Sequence, residues 1–163
     1  MNTLMRNARM KLIAPVDLRK AVTGKKILVD TNIIIYLTDS IQPYASLSRM
    51  LFEMIEKNEA QACFSIVTIA EVMQGPLKRG FVESAMKVRD FLLNFPNTYC
   101  QEITALVLEQ IGEDNRIKWP KLRSIDSLII ASGLTNDVEK IISNDRHFME
   151  AVPESLLLSY DKR

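Results

Sequence analysis

The chain has 163 residues, of which 47% are apolar and 25% are charged, values that are ordinary for a single globular domain. A chain of this length can bury a core without disulfides or a structural metal, and no apolar run approaches the roughly 18 residues of a membrane span. The formal net charge of +1 excludes a strong overall bias toward basic or acidic residues.

Positive charge is concentrated at the start of the chain. Up to Lys26 there are seven basic residues and one acidic residue, Asp17, so this segment carries +6 and the remainder carries −5. We expect residues 1–25 to form a basic N-terminal extension, either a partly disordered tail or an arm that holds a polyanion near an acidic site. No signal-peptide core is present, and Cys63 and Cys100 form no C-x-x-C pair, so we expect a cytoplasmic protein with reduced thiols.

Residues 26–163 alternate short apolar runs with amphipathic stretches, a pattern typical of a parallel α/β sheet. Strands are expected at 26–30, 61–65, 98–100, 140–143 and 156–158. Helices are expected at 31–38, 42–57, 66–74, 81–94, 104–114 and 124–132. Gly75 and Pro76 are expected to end the third helix, and the last helix is expected to have Ser124 as N-cap and Gly133 just past its end. These elements predict a three-layer α/β/α domain with a central parallel sheet of four to five strands.

Four acidic residues border segments that are expected to be buried. Asp30 and Asp145 lie at, or just past, the carboxyl ends of predicted strands, where open α/β sheets bind ligands. Glu71 lies inside an otherwise apolar helix, and Asp126 lies in the first turn of another. Each acid alone could be an ordinary helix cap, first-turn charge or turn residue. Together they suggest a site, because a buried ionised carboxylate is costly unless it is paired or binds a metal.

A divalent cation would relieve the repulsion among four converging carboxylates. Ligands that are all oxygen suit Mg²⁺ or Mn²⁺, and one or two such ions can orient and acidify a water for attack on phosphorus. His147 is the only histidine, so a ribonuclease that uses two imidazoles and a multi-histidine zinc site are both excluded. We expect His147 itself to be a surface loop residue.

Four segments in order resemble the motifs of PIN domains. Residues 27–32 (Ile-Leu-Val-Asp-Thr-Asn) resemble the opening strand that runs into Asp-Thr-Asn, and residues 65–71 (Ser-Ile-Val-Thr-Ile-Ala-Glu) resemble the strand-to-helix motif that carries a glutamate. Residues 125–131 (Ile-Asp-Ser-Leu-Ile-Ile-Ala) resemble the third, helical motif, and residues 142–148 (Ile-Ser-Asn-Asp-Arg-His-Phe) resemble the fourth, a Thr-Asn-Asp-x-x-Phe turn. The ordered set covers roughly residues 26–158.

The resemblance implies a Mg²⁺- or Mn²⁺-dependent endonuclease for single-stranded RNA. Its acidic cluster would be Asp30, Glu71, Asp126 and Asp145. It further implies that the hydroxyls of Thr31 and Ser143 support a carboxylate or a metal-bound water, and that Asn32 braces the turn. Small PIN proteins are often the toxins of VapC-like toxin–antitoxin pairs, which implies a homodimer and an antitoxin partner.

The sequence departs from the family pattern in a few places. About 25 residues precede the first strand, which weakens the toxin interpretation but not the fold. Ile125 stands where proline is frequent, and Ser127 where alanine is frequent. Ser143 replaces a common threonine but keeps the hydroxyl, and no departure removes a proposed ligand.

Basic and aromatic residues near the acids are candidate RNA contacts. Lys78 and Arg79 could bind phosphates, although a solvated loop is the simpler interpretation. Trp119 could stack a base beside Lys121 and Arg123, or it could anchor a long loop.

Two other functions fit parts of the pattern. A strand-end aspartate also occurs in phosphoacceptor domains and haloacid-dehalogenase-like phosphatases, but those phosphatases need Asp-x-Asp and this chain has Asn32 at the third position. Covalent phosphorylation of Asp30 would identify that class. The second alternative is a catalytically inactive PIN fold that binds RNA or a protein partner.

Overall fold

The computed structural model describes residues 11–162. The strands are β1 (Lys11–Leu12), β2 (Lys26–Val29), β3 (Gln61–Ser65), β4 (Thr98–Gln101), β5 (Lys140–Ile142), β6 (Leu157–Leu158) and β7 (Asp161–Lys162). The helices are α1 (Pro15–Val22), α2 (Thr31–Thr38), α3 (Ala45–Glu56), α4 (Ile66–Lys78), α5 (Val82–Leu93), α6 (Ala105–Gln110), α7 (Ser124–Thr135) and α8 (Arg146–Ala151), with a 3₁₀ turn at Trp119–Lys121.

Five strands form one parallel sheet in the order β4-β3-β2-β5-β6. The strand β2 is central, and its Leu28 lies opposite Cys63 of β3 on one side and Ile141 of β5 on the other. Because all five strands run the same way, their carboxyl ends share one edge of the sheet. This confirms the predicted parallel sheet and places Asp30, directly after β2, in the middle of that edge.

Helices cover both faces of the sheet. Successive side chains of β2 from Ile27 to Val29 point to opposite faces and are apolar, so each face needs a covering layer. Ile27 and Val29 belong to one buried cluster, which includes Leu18 of α1 and Leu51 of α3. Leu28 belongs to the other, with residues of α7 and α8. The predicted three-layer α/β/α arrangement is therefore confirmed.

Part of the expected N-terminal extension belongs to the domain. Strand β1 pairs antiparallel with β7, and Leu18 and Val22 of α1 are fully buried. The core therefore extends across the expected boundary at residue 26, because α1 has an apolar face that packs on α3. Arg6 and Arg9, two of the basic residues of the proposed arm, lie outside the described residues.

The predicted end of the helix at Gly75 and Pro76 is wrong, since α4 continues to Lys78 with Pro76 buried inside it. A proline in the last turn of a helix forfeits only one backbone hydrogen bond, which the packing of a buried ring can offset. The helix predicted for 104–114 is also shorter in the structure: α6 ends at Gln110, shortly before Gly112, which has φ of +92°.

Helix α7 differs from the prediction at both ends. Its N-cap is Arg123 rather than Ser124, and it runs through Gly133 to Thr135. Gly133 lies inside the helix because the chain passes so close to β2 that an added Cβ would be 2.9 Å from Leu28 Cδ2. Helix α3, predicted to begin at residue 42, begins at Ala45, after a turn over residues 42–44.

No helix within residues 11–162 is long and apolar enough to cross a membrane. The thiols of Cys63 and Cys100 are both free, as expected from the sequence.

Candidate active site

All four predicted acids line one open pocket of about 190 Å³ at the carboxyl edge of the sheet. The pocket is lined by Asp30, Thr31, Asn32, Ile35, Glu71, Arg123, Asp126 and Asp145. These residues come from the ends of β2 and β5, from helices α2 and α4 and from the start of α7, so distant segments converge only after folding. Larger depressions elsewhere on the surface, such as one at the opposite ends of β2 and β3, lack these acids.

Asp30 is the most deeply placed acid and has 4% of its surface exposed. Its Oδ1 caps α2 by accepting from the Thr31 N–H at 2.8 Å, and its Oδ2 accepts from Ser143 Oγ at 2.6 Å and Asn32 Nδ2 at 3.1 Å. Burial raises the pKa of Asp30 to about 6, and the charges of Asp145 and Glu71 add to the rise, while the Ser143 and Thr31 hydrogen bonds oppose it. Burial is therefore the largest influence on the pKa of the Asp30 carboxyl.

Glu71 is half-buried on α4 and is oriented by a neighbour of Asp30. The Thr31 hydroxyl donates to Glu71 Oε1 at 2.7 Å. Helix α4 itself begins directly after β3, where Ser65 Oγ accepts from the Val67 N–H at 3.3 Å. The cap fixes the start of the helix, and the helix then carries Glu71 to the pocket.

Asp126 is buried, with 3% of its surface exposed, and it is bound by Arg123. Its Oδ2 accepts from Arg123 Nε at 2.9 Å and from the Arg123 backbone N–H at 3.2 Å, and its Oδ1 accepts from Nη2 at 3.0 Å. This bidentate pair raises the pKa of the Arg123 guanidinium above its usual value, through the hydrogen bonds first and the charge of Asp126 second. Nη2 also lies 3.9 Å from Asp145 Oδ2.

Asp145 follows β5 and caps α8. Its Oδ1 accepts from the N–H groups of His147 at 2.7 Å and Phe148 at 3.4 Å, which leaves Oδ2 toward the pocket and Arg123. The Asp145 N–H donates to Ser143 Oγ at 3.1 Å, and the Ser143 hydroxyl donates to Asp30. The Ser143 hydroxyl thus links two of the four acids. His147 is exposed.

Asn144 forms hydrogen bonds both to a pocket residue and to the last strand. It is not among the site residues predicted from the sequence. Its N–H donates to Asn32 Oδ1 at 3.1 Å, and its Nδ2 donates to Tyr36 Oη at 3.2 Å and to Asp161 Oδ2 at 2.9 Å. The position of Asn144 between two predicted site residues could have suggested a role. Nothing in the sequence could have indicated Asp161, because its contact depends on the pairing of β7 with β1.

The basic and aromatic candidates fall into two groups. Arg123 lines the pocket, whereas Lys78, Arg79 and Lys121 are exposed outside it. Trp119 is half-buried against the cluster that includes α7, and its ring N–H donates to the Asp114 carbonyl at 3.0 Å. That contact favours an anchor for the loop over a free stacking surface.

The donor set suits a hard divalent cation, because the pocket offers carboxylate and hydroxyl oxygens and no sulfur or imidazole. A further indication is that Asp30 and Asp126 are buried acids, which are costly to ionise without a counter-charge. As the side chains lie, no three histidine, cysteine or acidic residues within 11–162 form a metal-binding group. Asp126 is bound by Arg123, and Asp145 accepts from the backbone N–H groups at the start of α8 and lies near Arg123.

Comparisons with known proteins agree with the fold described above. VapBC2 from Rickettsia felis, solved bound to a DNA fragment from its promoter, superposes with a TM-score of 0.60 at 18% identity, covering 83% of this chain and 99% of that one. VapC20 from Mycobacterium tuberculosis, a sarcin-ricin loop cleaving toxin, superposes with a TM-score of 0.56 at 15% identity, covering 76% and 93%. At these identities the likeness shows a shared fold.

A search of the curated proteins finds no match by sequence. The family model of the PIN domain, however, matches residues 27–153, which include the four acids and most of the described sheet. The chain belongs to the PIN domain family.

Proposed function

We propose that this protein is a Mg²⁺- or Mn²⁺-dependent endoribonuclease that cleaves single-stranded or loop RNA. One observation carries the proposal: four carboxylates from four separate segments line a single pocket at the carboxyl edge of the sheet. A fold has no structural need to gather like charges in this way, and a buried acid such as Asp30 is destabilising unless a cation offsets it.

The metal would be held by Asp30, Glu71, Asp126 and Asp145. When bound, it would supply a water acidified for attack on phosphorus and would offset the negative charge of the phosphate. The chain's own residues prepare this site. Ser143 and Asn32 hold Asp30 by its Oδ2, and the Thr31 hydroxyl orients Glu71.

RNA would approach the pocket along exposed basic residues. Lys78 lies seven residues after Glu71 on α4, so it is on the same face of the helix and about 10 Å farther along. Arg79 follows it, and Lys121 is exposed in the turn that precedes α7. These side chains could bind phosphates without reading the sequence.

We propose further that the protein is a cytoplasmic toxin of a toxin–antitoxin pair. Its PIN domain accounts for most of the chain, and it shares its fold with VapC20 and with the toxin–antitoxin complex VapBC2. This proposal includes a small antitoxin as partner and a homodimer. A short neighbouring reading frame for such a partner, and its co-purification with the protein, would test it.

The direct test of the nuclease is cleavage of a mixed RNA pool by the purified chain in Mn²⁺, Mg²⁺ and EDTA. Asp30→Asn provides the inactive form, and Glu109→Gln, an exposed acid on α6, provides a matched control. Cleavage that needs metal, vanishes with Asp30→Asn and survives Glu109→Gln would support the proposal. Absence of cleavage by a folded, metal-loaded, partner-free protein would contradict it.

A second function, an inactive PIN module that binds RNA or a partner, is favoured by one feature: the pairing of Asp126 with Arg123. Such a pair could satisfy the site permanently without metal. Metal binding or RNA binding without any cleavage would support this alternative.

A further inference from the structure

Arg123 is the one cation among the residues that line the described pocket, and it lies among four acids. Its guanidinium binds both oxygens of Asp126, at 2.9 and 3.0 Å, and its Nη2 reaches 3.9 Å from Asp145. A bidentate pair between a guanidinium and a carboxylate is among the stronger charge-assisted contacts in proteins. Arg123 therefore already offsets part of the negative charge of the pocket.

A metal ion and this guanidinium would compete for Asp126. Both oxygens of Asp126 accept from the guanidinium, and the carboxylate is almost wholly buried, so a metal ion bound there would have to replace the guanidinium or lie beside it. Arg123 itself has a side chain that is 60% exposed, so it can turn out into solvent without opening the core. The two arrangements differ by one side-chain rotation at the surface.

We propose that Arg123 is an intramolecular counter-ion that a divalent cation must displace from Asp126, so that it sets the metal concentration at which the site fills. The inference rests on the proposed metal-dependent function and concerns this same site. The apparent affinity for metal equals the intrinsic affinity multiplied by the fraction of molecules in which Asp126 is free. Since pairs with an exposed partner contribute up to about 1 kcal/mol, the expected reduction is about 2- to 5-fold.

The test is a calorimetric titration of Mn²⁺ into the full-length wild-type protein and into Arg123→Ala, without RNA. Arg146→Ala is the matched control, because Arg146 follows Asp145, is 90% exposed, and pairs with Glu150 rather than with a pocket acid. We expect Arg123→Ala to bind Mn²⁺ about 2- to 5-fold more tightly. Arg146→Ala, which removes the same charge nearby, should change the affinity by less than about 2-fold.

A thermal melt provides a second readout that does not depend on catalysis. Without metal, Arg123→Ala should melt below the wild-type protein, because the buried Asp126 keeps only the backbone N–H of residue 123 as a donor. With saturating Mn²⁺ the difference should close. Melting behaviour that is the same for both proteins in EDTA would contradict the proposed pairing.

The failures of the two proposals are distinguishable. Equal or weaker Mn²⁺ affinity in Arg123→Ala, with normal binding by the wild-type protein, would overturn the competition and leave the nuclease proposal standing. A similar gain in Arg146→Ala would also overturn it, since general charge removal would then explain the result. No Mn²⁺ binding by any of the three proteins would overturn the proposed function as well.

Discussion

Replacing Asp30 by asparagine should stabilise the metal-free protein at neutral pH while destroying its proposed function. The carboxylate is buried beside Asp145 and Glu71, which raises its pKa from 3.8 to about 6. A raised pKa means that the folded state holds the proton more tightly than the unfolded state does. The associated stability is fully present below pH 3.8 and is lost as the pH rises through 6.

The magnitude follows from the pKa values. One pKa unit corresponds to 1.36 kcal/mol, so the rise from 3.8 to about 6 corresponds to about 3 kcal/mol of lost stability at pH 7. Asparagine avoids this loss but presents an amide group in place of one oxygen, which disrupts a hydrogen bond such as that from Ser143 and costs about 1 kcal/mol. The net gain expected at pH 7 is about 1–2 kcal/mol.

The assay is denaturant unfolding in EDTA at pH 7 and pH 4.5 for the wild-type protein, Asp30→Asn and the control Glu109→Gln. The advantage of Asp30→Asn at pH 7 should shrink or reverse at pH 4.5, where Asp30 of the wild-type protein is protonated. A variant that is less stable than the wild-type protein at pH 7, or a difference that does not change with pH, would refute the reasoning.

Three further predictions test the packing and the site. Gly133→Ala should cost about 1–3 kcal/mol because its Cβ would lie 2.9 Å from a Leu28 methyl; denaturant melts check this, and a cost near zero would contradict the close approach of α7 to β2. Leu18→Ala should cost about 2–5 kcal/mol in the same melts, and a cost near zero would contradict the packing of α1 in the core. Glu71→Gln should leave the half-buried site folded but weaken Mn²⁺ binding at least about 10-fold by calorimetry, and unchanged affinity would exclude Glu71 as a ligand.

The fold could be predicted from the sequence because its strongest signals are local. Short apolar runs separated by amphipathic stretches indicated the five parallel strands, and acids directly after two of the runs indicated the edge where ligands bind. The position of the pocket could be predicted for the same reason, since the carboxyl ends of parallel strands lie at one edge of the sheet. Asp30 and Asp145 also cap the helices that follow them, so ordinary capping and the proposed chemistry use the same residues.

The structure differs from the sequence-based predictions where tertiary contacts determine the local conformation. Pro76 and Gly133 look like helix ends in the sequence, but one is buried inside α4 and the other allows α7 to approach β2. The first core helix, α1, was hidden by the basic residues on its exposed face. The position of the Arg123 guanidinium on Asp126 depends on a side-chain conformation, which no sequence pattern specifies.

The measurement that tests the central claim most directly compares metal-dependent RNA cleavage across conservative variants of the four acids. The variants are Asp30→Asn, Glu71→Gln, Asp126→Asn and Asp145→Asn, each checked for folding and compared with Glu109→Gln. If the four carboxylates hold the metal, each variant should lose at least about 100-fold in rate, since even groups that only support metal ligands contribute 10- to 100-fold, and the control should cleave normally. Wild-type rates in two or more of the four variants would contradict the proposed site.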